Sequence, residues 1–152
     1  MIQKADLKKQ KLLSELNDAE LELIAAKITR EPYARAATIF VEGDATKGIC
    51  MINVGKVEIS KNTPDGWKHT LAVLSDQQFF GELAVIEDRT THSTNATALD
   101  ATELFRITTA DFRHLEQTEP TMMYKIMKTL ARMASRNVHS MNEKLMKVLI
   151  SY

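Results

Sequence analysis

Between Ala34 and Ile107 the sequence is a succession of short runs rich in β-branched and aromatic residues, each ending in turn residues. Gly43-Asp44, Asn53-Val54-Gly55 and Pro64-Asp65-Gly66 supply the turns, and the last of them predicts a hairpin loop. No helical crossover pattern interrupts these runs, which disfavours a parallel α/β sheet. We predict a mainly β fold with flanking helices: an antiparallel β-roll, similar to a jelly-roll barrel, over residues 34–108.

Helical spacing precedes this β region. Two clusters of apolar residues predict two short N-terminal helices over residues 1–33, both ending before Pro32. Asn17 or Asp18 can cap the second of them. The clusters are Leu12, Leu13 and Leu16, and then Leu21, Ile24, Ala25 and Ile28.

Helical spacing returns over residues 109–152. Thr108 or Thr109 can cap a short helix that packs through Phe112 and Leu115. Pro120 then begins a long helix, which contains no further Gly or Pro. Together the three zones form one domain, residues 1–152.

Two apolar stripes run along the long helix. The short stripe predicts packing on the β-roll and consists of Met123, Ile126, Leu130 and Met133. The longer stripe has heptad spacing and predicts pairing with a second copy of the chain, because a helix this long should extend beyond so small a domain. Alternatively, both stripes form one broad surface that faces the core of a monomer. The heptad seam is Tyr124, Met127, Ala131, Ala134, Val138, Met141, Leu145 and Val148.

The composition narrows the functional class. The 152 residues carry 20 basic and 20 acidic side chains, so no net charge attracts nucleic acid or anionic lipid. Cys50 is the single cysteine and no intramolecular disulfide is available, which is typical of a cytoplasmic protein. The N-terminus lacks the apolar segment of a signal peptide, and no apolar run is long enough to span a bilayer.

The histidines do not predict a metal centre. They are scattered singly, without the paired spacing of metal ligands, and no nucleophile–base arrangement stands out. We therefore expect no metal, no catalytic residues and no enzymatic activity. The four histidines are His69, His92, His114 and His139.

The order of helices, β-roll and long helix, with the segment Phe80-Gly81-Glu82-Leu83, resembles the cyclic nucleotide-binding domain family. The family includes catabolite-activator transcription factors, regulatory subunits of protein kinase A and nucleotide-gated channels. The resemblance covers about Leu13 to Leu145 and implies that the segment is part of a phosphate-binding cassette. Glu82 is then expected to accept a hydrogen bond from the ribose 2′-hydroxyl.

The cassette departs from the family pattern at the position of the arginine that pairs with the phosphate. Counting back from NATAL, the Arg-Ser/Thr-Ala triplet of the family falls on His92-Ser93-Thr94. A neutral imidazole cannot reproduce the two-pronged contact of an arginine with a phosphate. Losing that contact costs on the order of 1.5–3 kcal/mol. The resemblance thus leaves binding of cyclic AMP or cyclic GMP open.

Two other residues are candidates for contact with a ligand. Arg89 lies three residues before His92 and either reaches into the site or stays in solvent. Asn137 on the long helix either meets a purine edge or is an ordinary surface residue. The predicted ligand-binding set is Gly81, Glu82, Leu83, Arg89, His92, Ser93 and Asn137.

These observations lead to two functional hypotheses. The first is a cytoplasmic regulatory sensor that signals through the long dimerisation helix, with a cyclic nucleotide as candidate ligand and an unidentified protein downstream. The second is a degenerate, ligand-free module that only dimerises, or one whose pocket takes another small anion. The sequence contains no helix-turn-helix pattern after the long helix, so we expect no direct contact with nucleic acid and none with a membrane.

Overall fold

The computed structural model describes residues 2–151. Its β-strands are β1 Ile28–Tyr33, β2 Thr38–Phe40, β3 Ile49–Val54, β4 Lys56–Asn62, β5 Lys68–Ser75, β6 Phe79–Phe80, β7 Asn95–Ala98 and β8 Thr102–Ile107. Its α-helices are α1 Lys4–Lys8, α2 Asp18–Ala25, α3 Glu82–Ile86, α4 Thr109–Thr118 and α5 Pro120–Ile150, with a 3₁₀ turn at Lys11–Leu13.

The strands form two four-stranded sheets with the orders β1-β8-β3-β6 and β2-β7-β4-β5. All of their pairings are antiparallel. Buried side chains from both sheets share one apolar cluster, so the sheets pack face to face. The predicted β-roll is confirmed. The shared cluster is Ile39, Phe40, Cys50, Ile52, Val57, Phe80, Ala96, Ala98 and Leu104.

The predicted boundary between helices and sheet is wrong. Helix α2 ends at Ala25, and residues 28–33, which we assigned to the helical zone, form strand β1. Ile28 is buried by pairing with Ile107 at one end of β8. Pro32 is tolerated because β1 is an edge strand, where a missing N–H breaks no ladder on the open side. The spacing of Ile24 and Ile28 fits a continuous helix and a helix followed by a strand equally well, so it did not locate the boundary.

The first apolar cluster, Leu12, Leu13 and Leu16, does not lie on an α-helix as predicted: the first two leucines belong to the 3₁₀ turn and Leu16 follows it, although all three are buried.

Four other local predictions agree with the structure. Residues 63–67 form the hairpin loop between β4 and β5, closed by hydrogen bonds between Thr63 and Trp67. Asn17 caps α2 in a capping box with Glu20. Thr108 caps α4 by accepting a hydrogen bond from the Asp111 N–H at 3.0 Å. Phe112 and Leu115 of α4 are buried, as expected.

The long helix α5 is attached to the domain by its first half only. Met123, Ile126 and Leu130 of the short stripe are buried, and Met133 packs beside them. Their cluster contains side chains of the N-terminal helices and α4 as well as of the sheet, so the partner surface is wider than the β-roll we expected. From Ala134 to Ile150 every residue is exposed, about 25 Å of helix at 1.5 Å per residue.

Among residues 2–151, no helix combines the length and apolar character that crossing a membrane requires.

Candidate functional site

A left-handed glycine opens the segment that corresponds to the cassette, residues 81–93. Strand β6 ends at Phe80, and Gly81 adopts φ 85° as the residue that precedes α3. A Cβ atom at this position would lie 2.6 Å from the carbonyl oxygen of Gly48. The close approach and the positive φ both require glycine. The glycine at position 81 therefore has a steric basis in the fold.

The cassette is held in place from both sides. Thr46 donates its hydroxyl to the Arg89 carbonyl at 3.0 Å, and the His92 N–H donates to the Asp44 carbonyl at 2.9 Å. On the other side, the Arg113 guanidinium of α4 donates to the Val85 carbonyl and to the Asp88 carboxylate.

His92 is a buried part of this framework. Its side chain is 4% exposed and its ring stacks on Phe40, with the centroids 3.6 Å apart. Its Nε2 accepts a hydrogen bond from the Lys47 N–H at 3.1 Å, so a neutral ring carries its proton on Nδ1. Burial lowers the pKa of His92, which Asp44 opposes and Lys47 reinforces. The ring is therefore built to stay neutral.

A cavity of about 420 Å³ lies between the cassette, the β4–β5 hairpin and α5. Six of the seven residues predicted to bind a ligand line it: Gly81, Glu82, Leu83, His92, Ser93 and Asn137. The cassette and the long helix, far apart in sequence, meet at this one cavity.

Arg89 is the seventh predicted residue, and it does not line the cavity. Its Nε lies 2.5 Å from Glu87 Oε2, and both side chains are about half exposed. Arg89 therefore lies in solvent on the loop, which was the second of the two positions that the sequence allowed for it. Arg89 thus brings no charge to the site.

Glu82 is one of two ionisable side chains in the cavity wall; the other is His92. Burial raises the pKa of Glu82, and only its own backbone N–H opposes that effect. Among the described residues 2–151, no side chain donates a hydrogen bond to its carboxylate, and the lining residues include neither Lys nor Arg.

Sequence reasoning missed the apolar walls of the cavity. Leu71, for example, is 59% exposed and faces this space. Leu130 and Met133 were assigned only to packing, yet they also line the site. Whether an apolar residue at the edge of a hairpin is exposed depends on the elements that pack over it. The alternation of apolar and polar residues along the strand does not indicate those elements. The missed wall residues are Ile59, Leu71, Ala72, Leu74, Ile86, Thr94, Leu130, Met133 and Ala134, with Gln78, Phe79, Phe80 and Ala84 at the base of β6 and α3.

The comparison with known families decides the affiliation. Residues 30–119 match the profile of the Cyclic nucleotide-binding domain family. The chain belongs to this family. The matched range begins within β1 and includes the rest of the two sheets, the cassette and α4, while the whole of α5 lies outside it.

Individual relatives agree. The Cyclic AMP receptor protein of Thermus thermophilus is 28% identical over 126 residues, which cover 83% of this chain and 58% of that protein. The cAMP-dependent protein kinase regulatory subunit of Blastocladiella emersonii is 31% identical over 85 residues, which cover 56% of this chain and 21% of that protein. The chain spans about half the length, or less, of these curated relatives.

Solved structures share the fold. The Catabolite Activator Protein of Thermus thermophilus superposes with a TM-score of 0.76 at 26% identity, covering 90% of this chain and 62% of that one. The sensor domain of the transcriptional regulator DNR from Pseudomonas aeruginosa gives 0.74 at 21% identity, covering 92% and 91%. Because several relatives are named as transcriptional regulators, our expectation of no contact with nucleic acid gains no support from them.

Proposed function

We propose that this chain is a regulatory sensor domain in which a small ligand occupies the cavity and changes the position or pairing of α5. The observation that carries the proposal is the make-up of the cavity wall. Gly81 and His92 of the cassette face the same space as Met133 and Asn137 of α5. A ligand that fills the cavity contacts both elements and stabilises one arrangement of them over another.

The output surface we propose is the exposed seam of α5. All eight seam residues named from the sequence lie on exposed positions, including Val138 at 55% and Met141 at 67%. Large exposed apolar side chains at heptad spacing favour a second helix as their partner, and a second copy supplies an identical seam. Ala131 and Ala134 allow the two backbones to approach closely.

The family and the names of its members make a cyclic nucleotide the first ligand to test. The alternative, a ligand-free dimerising module, is favoured by one observation. By resemblance to the family pattern His92 falls at the position of the phosphate-binding arginine, and its Nε2 is already engaged by the Lys47 N–H. The same residue therefore separates the two hypotheses.

The test is titration of the His92→Arg variant with cyclic AMP and cyclic GMP by calorimetry. If the rest of the site is intact, the restored charge should tighten binding roughly 10- to 100-fold over the unchanged protein. His139→Arg, at an exposed position of α5, adds the same charge outside the cavity and should leave binding unchanged. The thermal midpoint of each variant reports whether it is folded.

A folded His92→Arg variant that ignores both nucleotides at millimolar concentration contradicts a cyclic nucleotide as the ligand of the cavity. The ligand-free module then becomes the better description.

A further inference from the structure

Among the residues that the structure describes, no cationic side chain lines the cavity to receive an anion. Its ionisable wall residues are Glu82 and His92, and the lining residues include no Lys or Arg. A phosphate in this space would meet an unpaired carboxylate and an imidazole whose Nε2 already accepts a hydrogen bond at 3.1 Å, so that the ring offers at most a neutral Nδ1–H and no positive charge. Removing a charge from water without a compensating partner is strongly unfavourable.

Three basic residues that belong to the cassette or contact it have their side chains committed elsewhere. Lys47 donates its Nζ to the Ile39 carbonyl at 3.0 Å. Arg89 pairs with Glu87, and Arg113 is held by the Asp88 carboxylate and the Val85 carbonyl. Each would have to break these contacts to reach the cavity.

What the cavity does present is a polar corner on an apolar wall. Glu82 accepts hydrogen bonds, Ser93 and Thr94 both donate and accept, and Asn137 of α5 adds an amide. Much of the remaining wall is aliphatic, from β4, β5 and α5, and includes Leu71. A volume of about 420 Å³ is within the range of sites for small organic ligands.

We propose that this cavity binds an uncharged, hydroxyl-bearing ligand of the nucleoside class, and that a phosphate group adds nothing to its affinity. The inference rests on the proposed sensor function and names the class of ligand. Hydroxyl groups satisfy Glu82 and Ser93, a flat ring packs on the aliphatic wall, and no charge is left without a partner. Another small anion, which the sequence left open, does not suit this lining.

The test compares adenosine with cyclic AMP on the unaltered protein by calorimetry. The two probes share the base and the sugar, so their difference isolates the cyclic phosphate. We expect adenosine to bind at least as tightly as cyclic AMP. Cyclic AMP binding tenfold or more tightly than adenosine, or no adenosine binding at millimolar concentration, overturns the inference.

Two variants on β5 locate the binding. Ala72 lines the cavity, whereas its neighbour Val73 is 53% exposed and does not. Ala72→Phe should reduce adenosine affinity at least tenfold, and Val73→Phe should leave it within about twofold. Equal affinity in both folded variants places adenosine outside the cavity and overturns the inference.

The results also separate this inference from the proposed function. If His92→Arg gains cyclic AMP binding while the unaltered protein ignores adenosine, the sensor proposal stands and the ligand class is wrong. If no probe binds either protein, both are wrong.

Discussion

The imidazole of His92 lies parallel to the ring of Phe40, with an interplanar angle of 6° and a centroid separation of 3.6 Å. Phe40 belongs to the cluster between the two sheets, so the stack ties the end of the cassette to the core of the β-roll. The residue that resemblance suggested as a ligand contact is therefore also a structural one.

This burial predicts a pH dependence of stability. The pKa of His92 is lowered from its ordinary value of 6.5, chiefly by burial, so the folded chain disfavours the charged ring. The stabilisation is complete above pH 6.5 and is lost as the pH falls through the lower pKa of the folded state. Urea unfolding measured as the pH is lowered from about 8 to about 5 should show the free energy of unfolding falling more steeply in the unaltered protein than in His92→Gln.

The control is the same substitution at His139, an exposed residue of α5. His139→Gln should keep the pH profile of the unaltered protein. If His92→Gln keeps it too, His92 is not held in its neutral form by the fold.

The tight packing behind Gly81 predicts a large cost of substitution. Gly81 and Gly66 have similar positive φ values of 85° and 89°, but a Cβ at Gly66 meets no atom within 4 Å. Gly66→Ala should cost about 1–2 kcal/mol through backbone strain alone. Gly81→Ala should cost at least about 1 kcal/mol more, because its Cβ collides with the Gly48 carbonyl. Equal losses in denaturant unfolding would show that the contact with Gly48 relaxes without cost.

The seam of α5 predicts that the chain self-associates and that a substitution weakens the dimer most when it lies within the seam. Leu145 is 57% exposed within the seam, and Met146 is 53% exposed just outside it. A buried charge in a paired helix is unfavourable, so Leu145→Glu should weaken a dimer at least tenfold. Met146→Glu adds the same charge beside the seam and should weaken it much less. Sedimentation equilibrium measures both, and a monomeric unaltered protein at high micromolar concentration would contradict the pairing.

Arg113 predicts a link between α4 and the cassette. Its guanidinium holds the Asp88 carboxylate and the Val85 carbonyl, and also Glu116 at 2.9 Å. Arg113→Gln should cost about 1 kcal/mol of stability and speed amide hydrogen exchange across residues 83–89. Arg136→Gln on the exposed part of α5 should change neither. Faster exchange spread over the whole chain would indicate general destabilisation instead of a local link.

Several features of the fold follow from local chemistry that the sequence displays directly. Pro64-Asp65-Gly66 closes a hairpin because glycine accepts a positive φ there, and Asn17 caps α2 because its side chain reaches an N–H three residues ahead. The Gly-free and Pro-free stretch after Pro120 forms one helix as predicted. Strand β1 escaped prediction because Ile28 has the spacing of the preceding helix, and only its pairing with β8 makes it extended.

The sequence by itself determined the β-roll, the caps and turns and the long helix, because these depend on local backbone preference and on short-range patterns. The family resemblance added six of the residues that line the cavity, and the tertiary structure supplied the rest. Only the tertiary structure decided which charged side chains face the cavity. Arg89 faces solvent beside Glu87, and His92 is buried against Phe40 with its Nε2 engaged. The direction and protonation of a side chain depend on neighbours distant in the sequence, and no local pattern records them.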